Sequence, residues 1–155
     1  MQLQLTDGTT TVTLSGTSPV TGCTYFPNTP ERKGGAYSDV TETAQVVLAG
    51  TAANIRTTVN SIERLLEQAA LRQAGGTTPK VYVNYAPVSE TAHRSEVLEG
   101  RVIWDTNPGL RRLGDTNPTV RIGVIWRRRF YWEGAETSLG TALSLIHISE
   151  PTRPY

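Results

Sequence analysis

Three arginines stand among four aromatic side chains in Trp126-Arg-Arg-Arg-Phe-Tyr-Trp132-Glu133. Arginine forks and stacked aromatics can hold single-stranded nucleic acid through phosphate contacts and base stacking. The same residue types dominate protein–protein hot spots. Strand alternation sends these arginines to both faces, and a formal net charge of +1 offers no field to gather phosphates. A subunit contact is therefore the reading they favour, and nucleic acid is not expected as a partner. Of the basic residues, only Lys33 and Lys80 are lysine. Arginine's rigid, weakly hydrated fork suits interfaces better.

Other chemistry finds little purchase. Cys23 is the only cysteine, so neither an intrachain disulfide nor a thiolate metal cage is expected. His93 and His147 are the two histidines, and His93 and Cys23 belong to no local nucleophile motif. Glu90, Glu96 and Glu99 cluster along one segment. On a strand, Glu90 and Glu96 would share a face and Glu99 would take the other, which reads as solvated surface. Asp105-Thr-Asn-Pro recurs as Asp115-Thr-Asn-Pro. A calcium loop starting at Asp105 would need a glutamate at its twelfth position, where Thr116 stands. Asp and Asn before proline instead suit turns bracketing a hairpin loop. No catalytic residue, metal ligand or cofactor site is expected, and the chain does not read as an enzyme.

The elements that must position the arginine–aromatic stretch follow from periodicity. Gln2 to Leu5 and Thr9 to Leu14 flank Asp7-Gly8, a hairpin signal. Residues 16–39, rich in glycine and proline, read as a long loop or arm of irregular structure. Glu42 to Leu48 is a strand. From Ala52 to Gln73, Ile55, Val59, Ile62, Leu66 and Ala69 form one apolar stripe that Leu65 widens, with Thr51 as N-cap and Gly75-Gly76 as the stop. Lys80 to Tyr85, Arg94 to Trp104 and Thr119 to Arg129 are strands. In the last, Val120, Ile122, Val124 and Trp126 point one way and Arg121, Ile125, Arg127 and Arg129 the other. This order predicts an α+β fold: a mainly antiparallel β-sandwich or sheet with one amphipathic helix packed across it.

This order of features resembles that of tail proteins from tailed bacteriophages, above all the N-terminal domain of distal tail and related tail-tip or tube proteins. The resemblance runs from the hairpin start through Val46-Val47-Leu48-Ala49-Gly50, the Ile55-to-Leu66 helix, Val81-Tyr-Val and Arg94-Ser95-Glu96 to the Val120-to-Arg129 strand that ends in Phe130-Tyr-Trp-Glu133. It implies a virion structural protein, put together in the cytoplasm of the bacterial host, that forms a ring with copies of itself and stacks on other tail proteins. Arg127, Arg129, Phe130, Tyr131 and Trp132, together with Tyr25 and Phe26 of the arm, are the expected subunit contacts. Two other readings stand beside it. One is a carbohydrate- or ligand-binding β-sandwich module for host recognition, using Trp104, Asp105 and Asn107. The other is a tail-associated hydrolase whose catalytic part lies elsewhere.

Residues 143–155 resemble the translation of a sequencing adapter and are set apart from fold reasoning. Residues 1–142 are then expected to form one structural domain of a protein that continues past Ala142. The first residues carry no signal-peptide pattern, and no apolar run approaches the roughly 20 residues of a membrane span. A soluble product with no membrane partner is expected.

Overall fold

Strict alternation of buried and exposed residues from Thr119 to Arg128 makes this segment a strand with one face in the core. The same pattern from Val40 to Ala49 gives its neighbour, paired antiparallel over ten residues from Val40↔Arg128 to Ala49↔Thr119. A computed structural model describes residues 1–105 and 118–134. Its elements in chain order are β1 (Gln2–Thr6), β2 (Thr11–Thr13), β3 (Val20–Thr24), β4 (Arg32–Lys33), β5 (Ala36–Tyr37), β6 (Val40–Ala49), α1 (Ala52–Gln73), β7 (Val81–Ala86), β8 (His93–Trp104) and β9 (Thr119–Arg128). Seven of the strands form one antiparallel sheet in the order β2-β1-β7-β8-β9-β6-β3, and β4 with β5 makes a separate two-stranded ribbon. The expected α+β architecture is present.

Helix α1 buries Ile55, Val59, Ile62, Leu65, Leu66 and Ala69, the stripe its spacing predicts. Thr51 caps its start by accepting from the Asn54 amide. At the other end Gly75, at φ +95°, lets the Gly75 amide reach Arg72 O and the Gly76 amide reach Leu71 O. These paired bonds use carbonyls that the last helical turn leaves without partners. A helix about 10 Å across covers two strands at ~4.8 Å spacing, not seven. Yet Val12 near one edge and Val20 at the other are both buried in one continuous core. The sheet must therefore wrap toward the helix. A groove lined by Thr11–Thr13 of β2, the 17–20 segment entering β3, and Thr57, Thr58 and Ser61 of α1 marks where the two edges come near each other.

Two expectations change. The 16–39 stretch is not irregular throughout: β3 adds to the sheet beside β6, with a bulge between Val20 and Gly22. An edge strand needs one partner only, so it tolerates the glycine and register shift that disguise it in the sequence. The arm proper is shorter, a narrow ribbon turned by Gly34 and Gly35 and closed where the Ser38 amide donates to Glu31 O. The first hairpin turns through residues 7–10, and Gly8 alone has positive φ there. Asp7 accepts from the Thr9 and Thr10 amides, and the Thr10 bond above all draws its carboxyl below the usual range.

Helix and sheet meet most closely at Gly100. A Cβ there would lie 2.7 Å from Leu66 Cδ2 and 2.5 Å from Ile125 O. Backbone cannot yield as a side-chain tip can, so Gly100→Ala is expected to cost about 1–3 kcal/mol. Urea denaturation should show a lower midpoint at an unchanged m-value.

Candidate functional site

The arginine–aromatic stretch divides by parity. Arg127 and Arg129 face outward from β9, whereas Arg128 continues the Val120-to-Trp126 face and is wholly buried. A guanidinium can be buried only with a carboxylate and further acceptors around it. Glu42 supplies that charge from the inner face of β6, itself only 1 % exposed. Arg128 Nη2 donates to Glu42 Oε1 at 2.7 Å and to Asn28 O at 3.3 Å, and Nη1 donates to Arg129 O at 2.8 Å. Glu42 also accepts from the Tyr25 hydroxyl at 2.5 Å and from the Asn28 amide at 2.9 Å. The Arg128 guanidinium sits over the Trp132 ring, with Cζ 4.1 Å from the ring centroid. Tyr25 packs edge-on against Tyr85 and tilted against Trp126, so aromatic rings wall the pair from solvent. Burial, and then the neighbouring carboxylate, push the Tyr25 hydroxyl far above its ordinary pKa of 10.0 and keep it a donor. Arg128 Nε and Trp126 Nε1 find no acceptor among the described residues.

Around this network the chain turns a pinned corner. The Arg129 amide donates to Glu96 O, and the Ser95 hydroxyl to Arg129 O. Four residues on, Glu133 pairs with Arg94 through both backbone bonds and a 2.9 Å side-chain ion pair. Between these pins Trp132 turns in over Arg128, while Phe130 and Tyr131 turn out. Tyr37 from β5 stacks on Phe130 at 5.7 Å between centroids, and Phe130 meets Tyr131 edge-on at 5.2 Å. Asp39 at the arm's far root lies 3.7 Å from Arg129. The near root is held by Asn28, whose Nδ2 donates to Thr41 O at 2.8 Å.

The structure thus brings together Arg129, Phe130 and Tyr131 of the expected contacts, and adds Tyr37, which the sequence reading passed over. Phe26, 79 % exposed, stands on the arm side beside Tyr25. Arg127 sits farther along the outer face, paired with Glu99 at 3.0 Å. Tyr25 and Trp132 are different. Tyr25 is 3 % exposed and Trp132 is half-buried, so their rings pack largely within this chain. The acidic cluster also departs from expectation. A bulge at Leu98 resets parity, so Glu96 and Glu99 share the outer face, and Glu90 lies in the turn before β8. Glu96 is not solvated: it is 6 % exposed, between Lys80 at 3.6 Å and Arg129 at 3.7 Å.

Of the residues suggested for a glycan site, Trp104 packs against the core and Asp105 donates its amide to Arg121 O, whereas Asn107 lies outside the described residues. So do Thr116, most of the repeated Asp-Thr-Asn-Pro pair, His147 and residues 143–155. Among the described residues no three or more His, Cys, Asp or Glu side chains are grouped to hold a metal ion, and no helix is long and apolar enough to cross a membrane. No protein-family model, curated protein or solved structure matches the chain.

Two predictions follow from the network. Glu42→Ala leaves a buried guanidinium uncompensated and should cost about 3–5 kcal/mol. Glu99→Ala breaks an exposed pair and should cost no more than about 1 kcal/mol. Urea midpoints measured side by side check the contrast. The second concerns alkali. Because the Tyr25 pKa is raised on folding, the folded chain keeps a proton that the unfolded chain releases. That stability is complete below about pH 10 and is lost as pH climbs toward the folded value. Above pH 10 the native unfolding free energy should fall more steeply than that of Tyr25→Phe, by up to about 1.4 kcal/mol per pH unit.

Proposed function

We propose that this chain is a structural subunit of a bacteriophage tail, which associates with copies of itself into a ring and stacks on other tail proteins. The observation that carries the reading is the placement of the exposed aromatics. Tyr37, Phe130 and Tyr131 form one outward group at the junction of arm and sheet, and Phe26 stands exposed on the same arm's approach. Large apolar rings are costly to leave in water and are the usual centres of binding energy between proteins. Here they sit on a corner pinned at Arg129 and Glu133, so little order has to be gained on docking. Ring closure needs two different patches on each subunit. A projecting arm beside a fixed aromatic corner offers one patch that reaches and one that receives. The sequence resemblance to distal tail and tube-like proteins supplies the setting.

Size-exclusion chromatography with light scattering on the full chain tests this. A closed assembly of more than two copies is expected. The Glu31 and Ser38 backbones are already hydrogen-bonded, so residues 32–37 can be replaced by Gly-Gly without disturbing β3 or the Asn28 root. That variant, and Phe26→Ser with Tyr131→Ser, should keep the native circular dichroism and thermal midpoint while shifting toward monomer. Each aromatic removed should weaken association roughly thirtyfold. A native chain that is monomeric at every concentration overturns the reading, as does a variant set that assembles unchanged.

A further inference from the structure

We infer that the buried Glu42–Arg128 pair is a latch that sets the position of the arm and the aromatic corner, and that the sheet can do without it. The inference deepens the assembly reading, since the surface it orders is the one proposed to meet other subunits.

The contacts of the pair argue for this. Apart from Tyr25, its partners are backbone groups at the places where chain leaves the sheet. Asn28 gives an amide to Glu42 and a carbonyl to Arg128, and Arg129 gives a carbonyl to Arg128. Trp132 closes over the guanidinium from the corner. One charge pair therefore joins the root of the arm to the start of the corner, one hundred residues apart in sequence. By contrast, β6 and β9 are joined along ten residue pairs and need no side-chain clamp. Nor is the pair arranged for stability alone, because Arg128 Nε has no acceptor among the described residues. A buried ion pair can commonly be replaced by apolar side chains of similar size at no loss of fold, whereas removing one partner is damaging.

Apolar replacement separates the two roles. In Tyr25→Phe/Glu42→Leu/Arg128→Met the core volume is roughly kept and the Arg129 carbonyl keeps the Ser95 hydroxyl, but the Asn28 amide and carbonyl lose their partners. Those groups must turn to water, and the root of the arm moves outward with them. Arg32 and Lys33 in the exposed ribbon give trypsin a cleavage site that reports arm opening. The triple variant should unfold at or above the native temperature, yet be nicked after Arg32 or Lys33 about tenfold faster, which is the worth of one charge-assisted hydrogen bond. Mass spectrometry of the fragments reads the rate. Asn28→Ala, an exposed change that loses only the bond to Thr41 O, should give a smaller acceleration in the same direction without touching the pair.

A triple variant that folds but is nicked at the native rate overturns the latch. One that fails to fold overturns the claim that the sheet can do without the pair, and Asn28→Ala then decides whether the root holds the arm: an unchanged rate there ends the proposal. Light scattering on the same samples keeps the two readings apart. Faster nicking in a chain whose native form is monomeric leaves the latch standing and removes the assembly; faster nicking with loss of assembly supports both.

Discussion

A carboxylate on β6 and a guanidinium on β9 meet diagonally on the inner face of the sheet, beside the apolar Val40, Ala44 and Trp126. Taking two such ions out of water is unfavourable by several kcal/mol each before their attraction is counted. The surroundings are shaped by that demand. Tyr25 must enter the core to donate to Glu42, and Asn28 must follow it closely enough to bring an amide within 2.9 Å. Trp132 must fold back over Arg128 although Phe130 and Tyr131 before it face outward. The path of the chain at this end of the sheet is thus dictated by a need to satisfy charge, where elsewhere it is dictated by a need to bury carbon.

The opposite regime holds along the helix. There the contacts are apolar throughout, and the constraint is volume. Gly100 and Leu66 touch so closely that a single methyl has no room, which fixes how α1 lies over β8. With the helix held there, β7, β1 and β2 on one side and β9, β6 and β3 on the other must wrap to cover what remains of the inner face. The edge strands β2 and β3 carry neither charge nor proline, the devices that usually guard an open edge. The groove where both edges approach α1 shows that each has cover nearby from this chain itself.

Much of this was legible before any coordinates. The helix runs over the residues its spacing predicts because one stripe, a threonine cap and a glycine stop all agree. The faces of β9 follow from simple alternation. That same rule contained the site as well: Arg128 has the parity of Trp126, and Glu42 that of Ala44 and Val46, so both belong to the inner face. A run of three arginines reads as surface because arginine is seldom buried, and that prior hid the exception. Other misses have causes alternation cannot see. The bulge at Leu98 inserts one residue, so Glu99 joins the side of Glu96. The glycines and prolines of residues 16–39 conceal β3, which owes its order to β6 and not to its own propensity. Tyr37 could be found only by knowing that the ribbon folds back on Phe130.

An arm rich in glycine and proline has many conformations, and fixing each residue costs on the order of 1–2 kcal/mol in entropy. If that ordering took place on docking, it would be subtracted from whatever the aromatic contacts provide. A two-stranded ribbon is at best marginally stable by itself, so the arm cannot supply its own order. The structure places the source of order at the base of the arm, in groups that form as the sheet forms. Asn28, Asp39 and Tyr37 hold the arm to Glu42, Arg129 and Phe130, each of which belongs to β6 or to the corner that follows β9. The entropy is then lost during folding, where the core's burial offsets it, and the aromatic group meets a partner already in place. In the proposed ring this makes the polar, buried part of the site and the apolar, exposed part a single device: charge fixes where the rings stand, and the rings supply the contact.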